Sequence, residues 1–151
     1  MNFLDQHTLE LFRQLSLAVL LGSLIGIERE IANKSAGMRT HALVALGSTL
    51  FTVISQTLTG PTIDPTRIAA QIVTGIGFLC AGLIVFNNSR VQGLTTAAGV
   101  WVAAAIGMAI GFKLYAIAIF TTILTILVFV ILWPLERRFI KRFAKEGRDL
   151  D

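Results

Sequence analysis

Residues 22–47, GSLIGIEREIANKSAGMRTHALVALG, join two apolar segments through a short, densely charged turn. The first segment carries Gly22 and Gly26 four residues apart, a spacing that lets another helix approach closely. The charged side chains that follow are Glu28, Arg29, Glu30, Lys34 and Arg39. Charged side chains beside lipid are energetically costly unless they form ion pairs, contact water or take part in the function of the protein. The stretch therefore predicts two membrane-embedded helices joined by a structured polar turn.

The composition of the whole chain is that of a polytopic membrane protein. Of its 151 residues 54% are hydrophobic and 15% are charged, and the mean hydropathy is +0.74. These values lie outside the range of soluble domains. The net charge of +4 does not indicate nucleic-acid binding, because the basic residues gather in loops beside apolar segments. The single cysteine, Cys80, excludes an intrachain disulfide.

The apolar segments predict an all-α integral membrane protein with five transmembrane helices. The segments are residues 15–27, 41–58, 68–86, 94–112 and 114–133. The first would span only about 20 Å of a hydrocarbon core of about 30 Å. Either the helix before it extends this span, or the Glu28–Glu30 cluster is drawn towards the membrane. Short amphipathic helices are expected at both ends of the chain, over residues 2–14 and 135–145.

Basic residues predict the orientation and divide the chain into two parts. With the amino terminus outside, the inner side receives the six basic residues of the tail together with Arg29, Lys34, Arg39 and Arg90. Only Arg13, Arg67 and Lys113 then lie outside, as the positive-inside rule requires. We expect residues 1–134 to form the transmembrane domain and residues 135–151 to form a basic cytoplasmic tail.

Three features of the charged turn point to a functional site. On a helical wheel Arg29 continues the face of Gly22 and Gly26, so it is expected to point into the bundle. Glu30 and Lys34 are spaced for a favourable ion pair within one helix. Arg39 is a third charged side chain and lies just beyond the turn. The alternative interpretation of the whole cluster is a solvent-exposed loop whose charges only set the orientation of the protein in the membrane.

The later segments carry small and polar faces. Gln71 and Thr74 share one side of the third segment with Gly75, Gly82 and Arg67, and a buried Gln71 needs a hydrogen-bond partner. Asp64 or Thr66 opens that segment as a helix cap. On the fourth segment, one face holds Thr96, Gly99 and Gly107. Trp101 lies roughly opposite, as lipid-facing bulk or as the wall of a pocket.

Four blocks of sequence together resemble one known family. They are GSLIGIEREIANKSAGMRTHALVALGSTLF, DPTRIAAQIVTGIGFLCAG, GLTTAAGVWVAAAIG and the basic segment after Trp133. Their order and spacing resemble the membrane domain of the MgtC/SapB family of bacterial inner-membrane proteins. The family's polar positions correspond here to Glu28, Arg29, Glu30, Arg39, Thr40, His41, Asp64, Arg67, Gln71, Thr95, Thr96 and Trp101.

The resemblance implies a multi-pass protein of the bacterial inner membrane. Members of the family are linked to growth in low magnesium and to virulence through survival inside macrophages, and MgtC is described as restraining the proton-translocating ATP synthase. Such proteins commonly continue into a soluble ACT-like domain. Because this sequence stops at Asp151, we expect either a short-form member without that domain or a part of a longer protein.

The leading hypothesis is a non-enzymatic regulator without a cofactor. Its expected partners are the lipid bilayer, another inner-membrane protein such as ATP synthase and a second copy of the chain. The charged turn and the glycine faces of the first, third and fourth segments would make those contacts.

Two alternatives stay open. A small transporter or channel for Mg²⁺ or another cation would use Glu28, Glu30 or Asp64 as oxygen ligands at its two mouths. A site for an anionic ligand or lipid headgroup would use Arg29, Arg39 and Arg67. An enzyme is not expected, because no catalytic triad, His/Cys metal spacing or phosphate loop is present in the sequence.

Overall fold

A computed structural model of the chain describes residues 5–57, 64, 66–87, 90–132 and 135. Over this part the chain forms α-helices and one short β-hairpin. The helices are α1 (Gln6–Ile31), α2 (Met38–Thr57), α3 (Arg67–Ala81), α4 (Leu94–Gly111) and α5 (Tyr115–Leu127), which continues as a π-helical segment over Val128–Leu132. The hairpin pairs β1 (Val85–Asn87) with antiparallel β2 (Arg90–Gln92).

The core of the bundle lies between α1, α2 and α4. Its buried apolar side chains include Ala18 and Ile25 from α1, Ala45 from α2, and Ile106 and Ile110 from α4. Helix α3 packs against α2 and α4, and α5 packs against α4 and α1. The alanines among these positions let the helix backbones come close, which is how membrane helices gain packing energy.

Glycines mark the closest approaches within this core. A Cβ added at Gly22 would lie 2.6 Å from the carbonyl oxygen of His41, and one at Gly26 would lie 2.7 Å from that of Gly37. A Cβ added at Gly107 would lie 3.0 Å from the Cα of Ala45. The obstacles are backbone atoms, so α2 is held between α1 and α4 at distances that only glycine allows.

Three helices of the described chain are long and apolar enough to cross a membrane. They are α1, α4, and α5 together with its π-helical continuation to Leu132. Helix α3, with 15 residues, is shorter than a membrane-spanning helix requires. The structure is therefore that of a helical membrane protein, and the five spans and their orientation stay predictions.

Within the described residues, the amphipathic entry extends the first span, which is one of the two alternatives expected for that short segment. Helix α1 is continuous from Gln6 to Ile31 because no helix-breaking residue follows Gln14. One predicted boundary is wrong. The third segment does not reach Phe86, since α3 ends at Ala81 and the chain then enters the hairpin. The predicted basic helix over residues 135–145 lies, except for its first residue, outside the described residues.

Candidate functional site

The charged turn is built by the end of α1 and the start of α2. Asn33 has a left-handed backbone with φ 54°, and the N–H of Lys34 donates to the carbonyl of Arg29 at 2.9 Å. The backbone N–H of Met38, the first residue of α2, donates to the Glu30 carboxylate at 2.9 Å. Glu30 thus caps α2 across the turn, as acidic groups do at helix amino termini. The predicted Glu30–Lys34 pair is not formed, because α1 ends at Ile31.

Arg29 is the buried charge of this turn. Its side chain is almost completely buried and its guanidinium binds the Glu28 carboxylate through two nitrogens, with Nη2 donating to Oε1 at 2.7 Å. The same guanidinium lies 3.7 Å from the centroid of the Phe129 ring, which comes from the π-helical segment after α5. An ion pair and a cation–π contact together stabilise a charge that burial alone would disfavour.

His41 lies beside this pair and is fully buried. Its Nδ1 is 2.9 Å from the carbonyl oxygen of Gly37, so Nδ1 carries the proton and donates it. The other ring nitrogen, Nε2, has no hydrogen-bond partner among the described residues. It faces Gly99, where an added Cβ would lie 3.4 Å from Nε2. Arg29, Glu28, His41 and Phe129 therefore form one compact buried cluster, which we call the Arg29 cluster.

Asp64, Arg67 and Gln71 lie at the opposite end of the bundle. Asp64 accepts hydrogen bonds from the Thr66 hydroxyl at 2.7 Å and from the Thr66 N–H at 2.8 Å. These two bonds favour the charged carboxylate and lower the pKa of Asp64 below its ordinary value. Arg67 and Gln71 are exposed and share with Asp64 a cavity of about 530 Å³. The structure thus divides the sequence-predicted polar residues into two separate groups.

An apolar groove of about 560 Å³ runs between α2 and α3. Gly75 and Gln71 line it from the exposed side of α3, and nothing lies within 4 Å of where a Cβ on Gly75 would be. Ser48 lines it from α2; this side chain is 3% exposed and its hydroxyl has no hydrogen-bond partner among the described residues. We call this surface the α2–α3 groove. Thr74 and Gly82 are also exposed on α3.

The predicted residues of α4 lie in different environments. Trp101 is 47% exposed, on the outside of the helix, and Thr95 is exposed at its first turn. Thr96 is buried, and both threonines line a cavity of about 730 Å³ together with Lys34. Of the remaining turn residues, Arg39 is exposed and Thr40 is half-buried.

Two residues of these sites were missed by sequence reasoning. Phe129 lies in the fifth apolar segment, where no local pattern marks it as the partner of Arg29. Gln14 lies at the end of the amphipathic helix expected over residues 2–14, but it is buried and its amide donates to the carbonyls of Ile110 and Gly111 at 3.0 and 3.3 Å. A glutamine flanked by apolar helical positions is the signal that could have identified this contact.

The carboxylates at the turn have structural roles. Glu28 neutralises Arg29, and Glu30 caps α2. Among the described residues, no three His, Cys, Asp or Glu side chains come together in a way that could hold a metal ion. The solvent-exposed positive charge of this region comes from the side chains of Lys34 and Arg39.

The sequence model of the MgtC family matches residues 15–138. This chain belongs to the MgtC family. It is 42% identical over 142 residues to an Escherichia coli K12 protein named "Putative magnesium transporter YhiD", covering 89% of this chain and 66% of that protein. It is 48% identical over 118 residues to the protein MgtC of Brucella abortus 2308, covering 78% of this chain and 49% of MgtC.

An uncharacterised Haemophilus influenzae protein is 39% identical over 147 residues, covering 91% of this chain and 61% of that protein. The chain therefore spans about half to two thirds of the length of these relatives. No solved structure matches it. Membership of this family agrees with the apolar helices described above, which are those of a helical membrane protein.

Proposed function

We propose that this chain is a non-enzymatic regulator of another inner-membrane protein, in the context of magnesium limitation and ion homeostasis. The observation that carries the proposal is the α2–α3 groove. The glycines of α1 and α4 are used for packing inside the bundle, whereas a Cβ added at Gly75 on α3 would have no described atom within 4 Å. A membrane helix of a partner can pack closely only where small residues are free to receive it.

The groove has the chemistry of a helix-binding surface. Its walls are aliphatic and aromatic side chains such as Leu43, Phe51 and Ile72, which match an apolar transmembrane helix. Ser48 and Gln71 supply two polar groups within it. Polar groups between membrane helices form hydrogen bonds worth about 1 kcal/mol each. A partner helix carrying one hydrogen-bonding side chain would therefore be favoured over lipid.

The partner that the family suggests is the proton-translocating ATP synthase, and a second copy of the chain is the other expected occupant. The test is proton pumping by ATP synthase in inverted membrane vesicles with and without this protein. We expect the wild-type chain to reduce pumping and Gly75→Leu, which fills the groove, to abolish that effect. Ala116→Leu makes the same kind of change on the exposed side of α5 and should keep the effect.

The outcomes separate the occupants of the groove. Equal inhibition by Gly75→Leu and wild type would contradict the proposal. If Gly75→Leu instead converts a dimer to a monomer in detergent while inhibition persists, the groove joins two copies and the regulatory contact lies elsewhere. No described atom lies within 4 Å of a Cβ at Gly75, so the position has room for a side chain. Far-ultraviolet circular dichroism of the Gly75→Leu variant separates either result from misfolding.

Magnesium transport is the second candidate, and it is favoured by the transporter name of the Escherichia coli relative. Mg²⁺ flux into proteoliposomes under an imposed gradient tests it directly. A transporter that uses Glu30 as a ligand would lose flux in Glu30→Gln, although the amide oxygen can still accept the Met38 N–H. If vesicles containing folded wild-type protein show no more Mg²⁺ flux than empty vesicles, transport is ruled out and the regulatory function is supported.

A further inference from the structure

The cavity lined by Lys34, Thr95 and Thr96 is distinct from the groove and from the Arg29 cluster, and it lies where the α1–α2 turn, the hairpin and the first turn of α4 meet. It measures about 730 Å³. Its polar lining consists of Asn33, Lys34, Ser35, Gln92, Thr95 and Thr96. None of these side chains is acidic, and Lys34 makes no ion pair with any described residue. The cavity therefore presents a positive charge surrounded by hydroxyl and amide groups.

The amino terminus of α4 opens into this cavity. The first helical hydrogen bond at this end runs from the N–H of Ala97 to the carbonyl of Gly93, at 2.8 Å. The N–H groups of Leu94, Thr95 and Thr96 precede it and have no acceptor within the helix. No side chain caps this end of α4. An uncapped amino terminus of an 18-residue helix carries partial positive charge and free donors, both of which favour an anion.

Thr96 gives an independent indication that a ligand binds here. Its side chain is 4% exposed, yet its hydroxyl makes no hydrogen bond within the described chain. Thr49, Thr52 and Thr122 all donate to the carbonyl four residues earlier in their own helices. Thr96 instead lines the cavity, so its hydroxyl is available to a group bound there. A ligand with acceptor oxygens would supply the hydrogen bond that the chain does not.

The backbone around the cavity holds these groups in fixed positions. Gly93 has φ 89°, and a Cβ added there would lie 3.0 Å from the carbonyl carbon of Leu83. The segment before the hairpin is thus held tightly against the start of α4. On the other wall, the bond from the Lys34 N–H to the Arg29 carbonyl orients the turn. The acidic side chains of the same turn are occupied by Arg29 and by the amino terminus of α2.

We propose that this cavity binds a phosphate group, with the amino terminus of α4 and the Thr95 and Thr96 hydroxyls donating to its oxygens and Lys34 neutralising its charge. Phosphate has several acceptor oxygens, which suits a site that offers an ammonium, hydroxyl, amide and backbone N–H donors and no carboxylate. Helix α4 would span about 27 Å of a hydrocarbon core of about 30 Å, so its end lies near the depth of lipid headgroups. The phosphate can belong to a phospholipid headgroup or to a soluble phosphate.

The experiment uses the full chain in two kinds of nanodisc. In discs of phosphatidylcholine alone, inorganic phosphate is titrated against the protein by calorimetry, with chloride at equal ionic strength as the reference. In discs doped with phosphatidylglycerol, native mass spectrometry counts the anionic lipid retained by the protein. The variants are Lys34→Gln and Thr96→Val, and Lys113→Gln removes an exposed lysine at the other end of the bundle.

We expect Lys34→Gln and Thr96→Val each to weaken binding by about tenfold, as the loss of one hydrogen bond to a charged group does. Lys113→Gln should bind as the wild type does. Binding of inorganic phosphate identifies a soluble ligand, and retention of phosphatidylglycerol alone identifies a headgroup. The proposal is overturned if the wild type binds neither probe, or if Lys34→Gln, whose exposed position leaves folding intact, binds as tightly as Lys113→Gln.

Discussion

Replacing Gly22 by alanine should separate α1 from α2 and destabilise the bundle. The new Cβ would lie 2.6 Å from the carbonyl oxygen of His41, 2.9 Å from the Cα of Ala42 and 3.0 Å from the Cβ of Ala45. Ordinary van der Waals contact begins at 3.4 Å. Two of the three obstacles are backbone atoms of α2, which cannot rotate aside as a flexible side chain would.

The magnitude follows from the distance that must be gained. Moving from 2.6 to 3.4 Å requires the helices to separate by about 0.8 Å at this crossing, and a gap of that size loses roughly a quarter to a half of the dispersion energy of each facing atom pair. Overpacking of this kind costs about 1–3 kcal/mol. Because the facing backbone cannot move aside, we expect the cost at Gly22 to be about 3 kcal/mol. Alanine returns about 1 kcal/mol through helix propensity. We expect a net loss of about 2 kcal/mol in the free energy of unfolding.

Gly75→Ala is the matched control. It makes the same chemical change in α3, where no atom lies within 4 Å of the new Cβ. Only the helix-propensity gain then applies, so the free energy of unfolding should rise by about 1 kcal/mol. The two variants should therefore differ by about 3 kcal/mol in opposite directions from the wild type.

Unfolding in mixed micelles with increasing SDS, followed by far-ultraviolet circular dichroism, measures both free energies. Labelling of the single buried thiol of Cys80 provides a second probe, because it requires α3 to separate from α4, whose Ala97 carbonyl accepts from the thiol. If Gly22→Ala is as stable as the wild type, the close packing of α1 on α2 is not present in the folded protein. If both variants lose stability equally, helix-interior effects rather than interhelical contact would account for it.

Three further perturbations test other contacts. Arg29→Leu should cost about 3 kcal/mol of unfolding free energy, because it leaves the Glu28 carboxylate partly buried without its partner; SDS unfolding measures it. Gln14→Leu removes two hydrogen bonds to α4 and should cost about 1 kcal/mol by the same assay. The hydrogen bonds from Thr66 stabilise the folded protein above the unfolded pKa of Asp64 and are lost as the pH falls through the lower folded pKa. Carboxyl NMR should show this pKa rising in Thr66→Val.

The charged turn shows how far sequence reasoning reaches. The wheel placed Arg29 on the glycine face, and the structure buries it at the end of that face. Its partner was not predictable from spacing, because neighbouring residues on a helix point in different directions. Glu28 reaches Arg29 only in the last turn of α1, where the side chains are free to bend towards each other. Phe129, about a hundred residues later, depends on tertiary packing alone.

The small-residue faces of the helices show a different limit. From the sequence alone, Gly22, Gly107 and Gly75 all predict the same thing, which is a position where another helix can approach closely. The structure places α2 against the first two and leaves the third open. Sequence spacing states that a close approach is allowed but does not state which helix makes it. Only the arrangement of α1, α2 and α4 around one core distinguishes internal packing from a surface for a partner.

Thr96 is a case in which the sequence held more information than its face pattern revealed. The fourth segment was placed from residue 94, which puts Thr95 and Thr96 in the first turn. A threonine inside a helix can donate to the carbonyl four residues earlier, as Thr49 does. In the first turn that carbonyl belongs to the preceding segment, here β2, and is not aligned with the helix. The predicted start of α4 therefore already implied hydroxyls in need of another acceptor, and the phosphate experiment tests whether a ligand supplies it.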